Sequence, residues 1–201
     1  MLQVDKSRRG LLAGMALLVT GCANESVRLH DAATRAMVAA GQLEKERRDI
    51  AAQPRSTAIL NHAHPTQRWM LSYPGDWTLT DDGQFVRLSR GQAVLGIHVL
   101  PDVAGRSIDA VADAAVQAWE RRMQAVNSVR RVSRQRQVLP GDLTAIAVVH
   151  HIGIGQVGKS LKLVVLVQGR GFLIDAETHL ASWPDYEADF NRIIDSFRVL
   201  P

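Results

Sequence analysis

The sequence predicts an α+β fold, an antiparallel β-sheet flanked by helices, preceded by a signal peptide and a helical spacer. Three observations predict it. From about Arg68 onward, apolar residues recur every second position in short runs punctuated by Gly and Pro. Two stretches, 107–123 and 183–197, carry helical stripes instead. The extended runs after residue 131 follow one another through connections too short for a crossover helix, so neighbours must pair antiparallel.

Residues 1–21 read as a lipoprotein signal peptide. Lys6, Arg8 and Arg9 make a basic start, and "LLAGMALLVT" is an apolar run too short to span a bilayer. Val19-Thr20-Gly21-Cys22 has the pattern of a bacterial lipobox, with cleavage after Gly21 and acyl chains (palmitate among them) attached through Cys22, the one cysteine of the chain. More than one acyl chain, at about 0.8 kcal/mol per buried methylene, gives stable membrane anchoring. The mature chain then has no cysteine for a disulfide and must rely on an apolar core. "SRRGLLA" also resembles a twin-arginine export signal, and the general secretory route stays open beside it. Ala23, not an aspartate, follows the lipidated position, which points to the outer membrane facing the periplasm.

The signal segment holds three of the 24 Lys and Arg and one of the 20 Asp and Glu, so the side-chain balance falls from +4 to +2 on processing. A near-neutral envelope protein gives no case for nucleic acid as a partner.

Residues 22–67 read as the lipidated N-terminus, a helical spacer and a linker. Leu29, Ala33, Ala36, Ala40, Leu43 and Ile50 recur at spacings of four and three, interrupted by Arg47. The stripe is thin because alanine buries little area, and Gly41 weakens it by about 1 kcal/mol, so a solvated spacer fits better than a partner-binding coiled coil. "AAQPRSTAILNHAHPT" reads as the linker, with Pro54 and Pro65 ending helix.

The folded domain is expected over 68–201. "RWMLSYPGDWTLT" sets two β-prone runs either side of a turn at Tyr73-Pro74-Gly75-Asp76. "QFVRLSR" alternates. "AVLGIHVL" puts Leu95, Ile97 and Val99 on one face and His98 on the other. Ser107 is a natural N-cap, and Asp109 lies in the first turn of a helix striped by Ile108, Val111, Ala112, Ala115, Trp119 and Met123. Strands follow at about 132–139, 143–152, 161–167 and 172–180. Reading "QGRG" as the last hairpin connection pairs Val167 with Phe172, Lys162 with Glu177 and Ser160 with His179. "WPDYEADFNRIIDSF" closes the chain as a helix, with Pro184 in its first turn and a stripe of Tyr186, Phe190, Ile193, Ile194 and Phe197. Trp69, Trp77, Trp119 and Trp183 all sit in or beside apolar patterns and read as core anchors.

"HHIGIGQVGKS" tests that order. Gly153, Gly155 and Gly158 fit G-x-G-x-x-G, and Gly153, Gly158, Lys159 and Ser160 fit G-x-x-x-x-G-K-S. Both patterns hold phosphate only when a helix starts directly after them, its free amides facing the anion. Here "SLKLVVLVQ" has period two, so the segment is expected to stay extended and the glycines to form a hairpin turn. The compartment also lacks the nucleotide. No nucleotide is expected as cofactor or partner.

Other chemistry reads equally thin. His150 and His151 are adjacent in a strand and leave opposite faces; His62 and His64 lie in the linker with no acid near them in sequence, so no metal centre is expected. Ser160, Asp175 and His179 have the residue types of a hydrolytic triad, but the register keeps Asp175 from orienting His179, and no catalytic residue is assigned. No cofactor is implied.

With "LSYPGDW", "SIDAVADAAVQAW" and "DFNRIIDSFRV" in this order, the chain from Arg68 to Pro201 resembles the PsbP-like lipoproteins, including the DcrB-like bacterial group, which share a fold with a eukaryotic Ran-binding import factor. The residues that carry the resemblance are Tyr73, Pro74 and Trp77, the two Gly-turned hairpins, and Phe190, Ile193, Ile194 with Ser196-Phe197-Arg198. The resemblance implies an α/β/α sandwich. It also implies a non-catalytic role as adaptor or assembly and secretion-associated factor, with a protein partner in the envelope. A carrier that takes a small ligand or lipid between sheet and helix is the alternative, and a hydrolase with an unrecognised site the more distant one.

Overall fold

The computed structural model describes residues 55–201 and seven positions between Val38 and Asp49. The chain divides into two units, Met1–Ile50 and Ala51–Pro201. In the first, the described positions (Val38, Gly41, Gln42, Glu44, Lys45, Arg48 and Asp49) are helical and exposed. The signal peptide, the cleavage site at Gly21 and the lipidation site at Cys22 lie outside the described residues.

The second unit is α+β. Its larger sheet has seven antiparallel strands in the order β3-β4-β5-β9-β8-β7-β6. These are β3 (Thr78–Asp81), β4 (Phe85–Arg90), β5 (Ala93–Leu100), β6 (Val129–Leu139), β7 (Leu143–Ile152), β8 (Gly158–Val167) and β9 (Arg170–His179). A smaller sheet, ordered β1-β2-β10, joins Ile59–Ala63, Trp69–Pro74 and Arg198–Val199. Helix α1 (Ile108–Gln124) packs on one face of the large sheet and α2 (Trp183–Ser196) on the other.

Both helices form where the stripes predict them. Ser107 caps α1 by accepting from the Ala110 amide at 3.2 Å, and Val111, Ala112, Val116 and Trp119 are buried. They meet Ile146, Val148, Val164 and Leu173, which the register places side by side across β7, β8 and β9. The α2 face is aromatic: Phe190 lies 5.7 Å from Trp77 and 5.1 Å from Trp183, and Phe197 lies 5.3 Å from Phe172 and 5.8 Å from Trp69, between ring centres. All four tryptophans are buried.

Two expectations are corrected. The stretch read as linker contains β1, paired with β2 from Ile59 opposite Pro74 to Ala63 opposite Met70. An edge strand exposed at most positions is held by its backbone ladder, so its apolar alternation is weak in the sequence. The β8–β9 register is shifted by two residues: Val167 faces Arg170, Lys162 faces Asp175, and Ser160 faces Glu177. The turn is the two residues Gln168 and Gly169, both at positive φ (51° and 71°), the tight turn that matches strand twist, rather than the four-residue loop assumed from "QGRG".

Candidate functional site

The "YPGDW" corner is structural. Asp76 Oδ2 lies 3.0 Å from Arg90 Nε, and Arg90 Nη1 lies 3.2 Å from Asp189 Oδ2. Trp77 Nε1 (3.4 Å) and Arg55 Nη1 (3.0 Å) donate to that same Asp189 oxygen. Arg90 and Asp189 are buried, so this lock joins β4, the β2–β3 turn and α2 inside the core. Asp189 sits on the apolar face of α2, where a carboxylate is tolerated only because cations and donors converge on it.

The glycine loop ends in strand. Gly153 (φ 88°) and Gly155 (φ 73°) make a tight turn with one short 3₁₀ segment, Ile154–Gln156, and β8 begins at Gly158. The Gly153 amide donates to Ser128 O at 2.8 Å, and the Gln156 amide to Gly153 O at 2.9 Å. Lys159 and Ser160 therefore lie in an extended ladder with no helix N-terminus behind them. Lys159 Nζ rests 4.0 Å from the centre of the Trp183 ring, and partial burial lowers its pKa.

The adjacent His150 and His151 separate as expected, and His62 and His64, which have no acid near them in sequence, meet one in space. His62 Nε2 lies 3.3 Å from Asp81 Oδ2 and His64 Nε2 3.7 Å from Asp81 Oδ1, an acid supplied by β3 that the sequence does not place near them. The amides of Thr66 and Gln67 donate to His64 Nδ1 at 3.4 and 3.2 Å. That Nδ1 lone pair is occupied by these two backbone donors. Among the described residues, no group of three His, Cys, Asp or Glu side chains is placed to hold a metal ion.

The serine–histidine–aspartate set does not assemble as its letters suggest. His179 faces Gly158, not Ser160. Ser160 instead faces His150 on β7, and its hydroxyl donates to Asp175 Oδ1 at 3.5 Å. His150 Nε2 meets Glu120 Oε1 at 2.8 Å, and its ring lies 4.8 Å from that of Trp119. Ser160 and His150 are wholly buried beneath α1, closed to any substrate. Burial lowers the His150 pKa more than the Glu120 hydrogen bond raises it.

Beside them is a charged floor. Lys162 is 0 % exposed at the centre of the α1 face. Its ammonium sits between Asp175, in direct contact, and Glu177 Oε1 at 2.7 Å, and lies 3.9 Å from the centre of the Trp119 ring. Desolvation pushes the Asp175 pKa up to about 6, against the pull of Lys162 and with the push of Glu177: two carboxylates share one ammonium. From the sequence, period two alone placed Lys162, Asp175 and Glu177 on one face; the contact with Trp119 needed the helix in place.

Helix α1 lies over β7 and β8 and leaves the β9–β5 side open. The result is a groove of about 560 Å³. Its helix wall is Val111, Ala114, Ala115, Ala118 and Trp119; its floor is His98, Leu100, Leu173 and Asp175; Arg106 and Arg122 complete the rim. Three alanines on the wall leave the space that larger side chains would fill. His98 stacks on Phe85 with ring centres 4.3 Å apart, and burial, then Lys162 and Arg122, lower its pKa. The Phe85 ring lies over Gly96, where a Cβ would stand 2.6 Å from Phe85 Cε2.

No known family profile matches the chain, and no curated protein matches it in sequence. Solved structures do. The cyanobacterial PsbP protein CyanoP from Synechocystis sp. PCC 6803 is similar over 71 % of this chain and 92 % of its own, at 13 % identity and a TM-score of 0.57. LpqN, involved in cell envelope biogenesis of Mycobacterium tuberculosis, is similar over 72 % and 91 %, at 13 % identity and a TM-score of 0.46. The likeness to CyanoP gives the fold: two antiparallel sheets and two helices in the PsbP-like arrangement.

Proposed function

We propose that this chain is a non-catalytic binding protein of the bacterial cell envelope, held at the membrane by acyl chains on Cys22, with the groove beneath α1 as its recognition site. The groove is the observation that carries the reading. Its size of about 560 Å³ and its mostly apolar wall with a few converging polar groups suit a guest better than chemistry, since Ser160 and His150 are sealed away from it. The guest is a segment of an envelope protein if the chain is an adaptor. A small molecule is the second reading, favoured by a cavity volume in the range of small-ligand sites.

The lipobox supports the anchoring, and the outer membrane is its destination in this reading. Cys22→Ser is expected to move the protein from the membrane to the soluble fraction; retention on membranes would contradict lipidation. Affinity recovery of the lipidated protein from envelope extract tests the recognition site. Ala118→Trp, which fills the groove, is expected to release whatever co-purifies, with α1 still folded by circular dichroism. Unchanged recovery by that variant removes the groove from the reading. A stoichiometric protein in the wild-type fraction makes the chain an adaptor, and a small molecule without one makes it a carrier.

A further inference from the structure

The groove's charges are not answered evenly. The two carboxylates near it, Asp175 and Glu177, are both held by Lys162. On the rim, Arg106 Nη2 donates to Ala110 O at 2.9 Å. Arg122 makes no hydrogen bond or ion pair among the described residues, although its guanidinium lines the groove and acts on His98. Its place in the last turn of α1 suits the helix dipole, which accounts for a cation there but leaves its donors free. The unanswered charge at the mouth is positive.

The wall between Val111 and Arg122 is apolar, and it runs about 16 Å along the helix at 1.5 Å per residue. Ala114, Ala115 and Ala118 line the groove together with Leu173 and Val103, and Ala115 also packs against the buried cluster to which those two belong. An apolar chain laid there ends beside Arg122.

We propose that the groove binds a single-chain amphipathic anion, an acyl carboxylate, with its chain between the α1 alanines and Leu173 and its carboxylate on Arg122. The assignment rests on the groove being the recognition site. It accounts for the three alanines, Ala114, Ala115 and Ala118, between Val111 and Trp119 on the groove wall, and for Arg122 being left without an acid while Arg131, Arg134 and Arg136 on neighbouring β6 are all paired with Glu120 or Asp109.

The test uses the processed chain carrying Cys22→Ser, which needs no detergent, and titrates it calorimetrically with dodecanoate and with dodecyltrimethylammonium. Dodecanoate is expected to bind at least tenfold more tightly than the cation, Arg122→Gln to weaken it about tenfold, and Ala118→Trp to abolish it, with thermal unfolding confirming that both variants fold. Equal binding of the two probes, or dodecanoate binding that ignores Arg122→Gln, overturns the anion assignment. Should dodecanoate fail to bind while Ala118→Trp still releases the guest recovered from envelope extract, the groove stands and the ligand class falls. Should Ala118→Trp alter neither, the groove reading fails with it.

Discussion

The two faces of the seven-stranded sheet solve the burial of charge in opposite ways. On the α2 face, Arg90 meets two carboxylates, Asp76 and Asp189, while Asp189 also takes donors from Trp77 and Arg55; rings close over the cluster. On the α1 face, Lys162 alone serves Asp175 and Glu177, and the helix covers only part of the sheet. The first arrangement balances cations and anions in a filled core and holds layers together. The second leaves a carboxyl with a raised pKa beside an open groove. A stabilising lock and the floor of an open groove can therefore use the same residue types; what separates them is the count of partners and the access of solvent.

The largest effect expected from breaking this contrast lies on the α2 face. Asp189→Ala leaves Arg90 with one carboxylate and Trp77 Nε1 without an acceptor, and should lower unfolding free energy by about 3–5 kcal/mol in urea titrations. Replacing Asp189, Arg90 and Asp76 together by Leu, Met and Asn should recover much of that loss, because neither Arg90 nor the Asp76 carboxylate it holds is then left as an unpaired charge.

Lys162→Met on the α1 face should destabilise by about 2–3 kcal/mol at pH 8, less than the first change because Glu177 is partly exposed and keeps some hydration. At pH 5 the same substitution should be milder, since Asp175 then carries a proton.

Asp175 gives the contrast a pH signature. Its folded pKa of about 6 exceeds the ordinary carboxyl value of 3.8, so the folded state binds more protons between them. The contribution is full below about pH 4 and is lost as pH rises through 6. Asp175→Asn should flatten that dependence and raise stability at pH 8 by about 1–2 kcal/mol, seen as a higher Tm; a lower Tm at pH 8 would contradict the shared-ammonium account. The smallest effect is expected at the glycine loop. Lys159→Ala removes only a cation over the Trp183 ring and should cost under about 1 kcal/mol, leaving guest binding unchanged.

Much of this layout was legible along the chain because it is set by local periodicity. The stripe from Ile108 to Trp119, the cap at Ser107 and the extended run after Gly158 each follow from a few neighbouring residues. What the sequence did not disclose depends on partners far away. Strand β1 is a strand only because β2 offers it a ladder. Asp81 reaches His62 and His64 only because β3 follows β2 around the Tyr73–Asp76 turn. The two-residue error in pairing β8 with β9 came from one turn, where Gln168 takes a positive φ usually left to glycine or asparagine. Even so, Lys162 reaches Glu177 as a diagonal neighbour, while Asp175 takes the place directly across. The groove itself is a product of where α1 stops covering the sheet, which no short window encodes.

Gly96 gives this arrangement a point of leverage. With no side chain of its own, it forms a bald spot on which the Phe85 ring rests, and that ring in turn steadies His98 at the groove. Any residue with a β-carbon at 96 would evict the ring and move the histidine with it. A single codon thus governs the contour of the groove beside His98, with no strand, helix or part of the filled core on the far side needing to change.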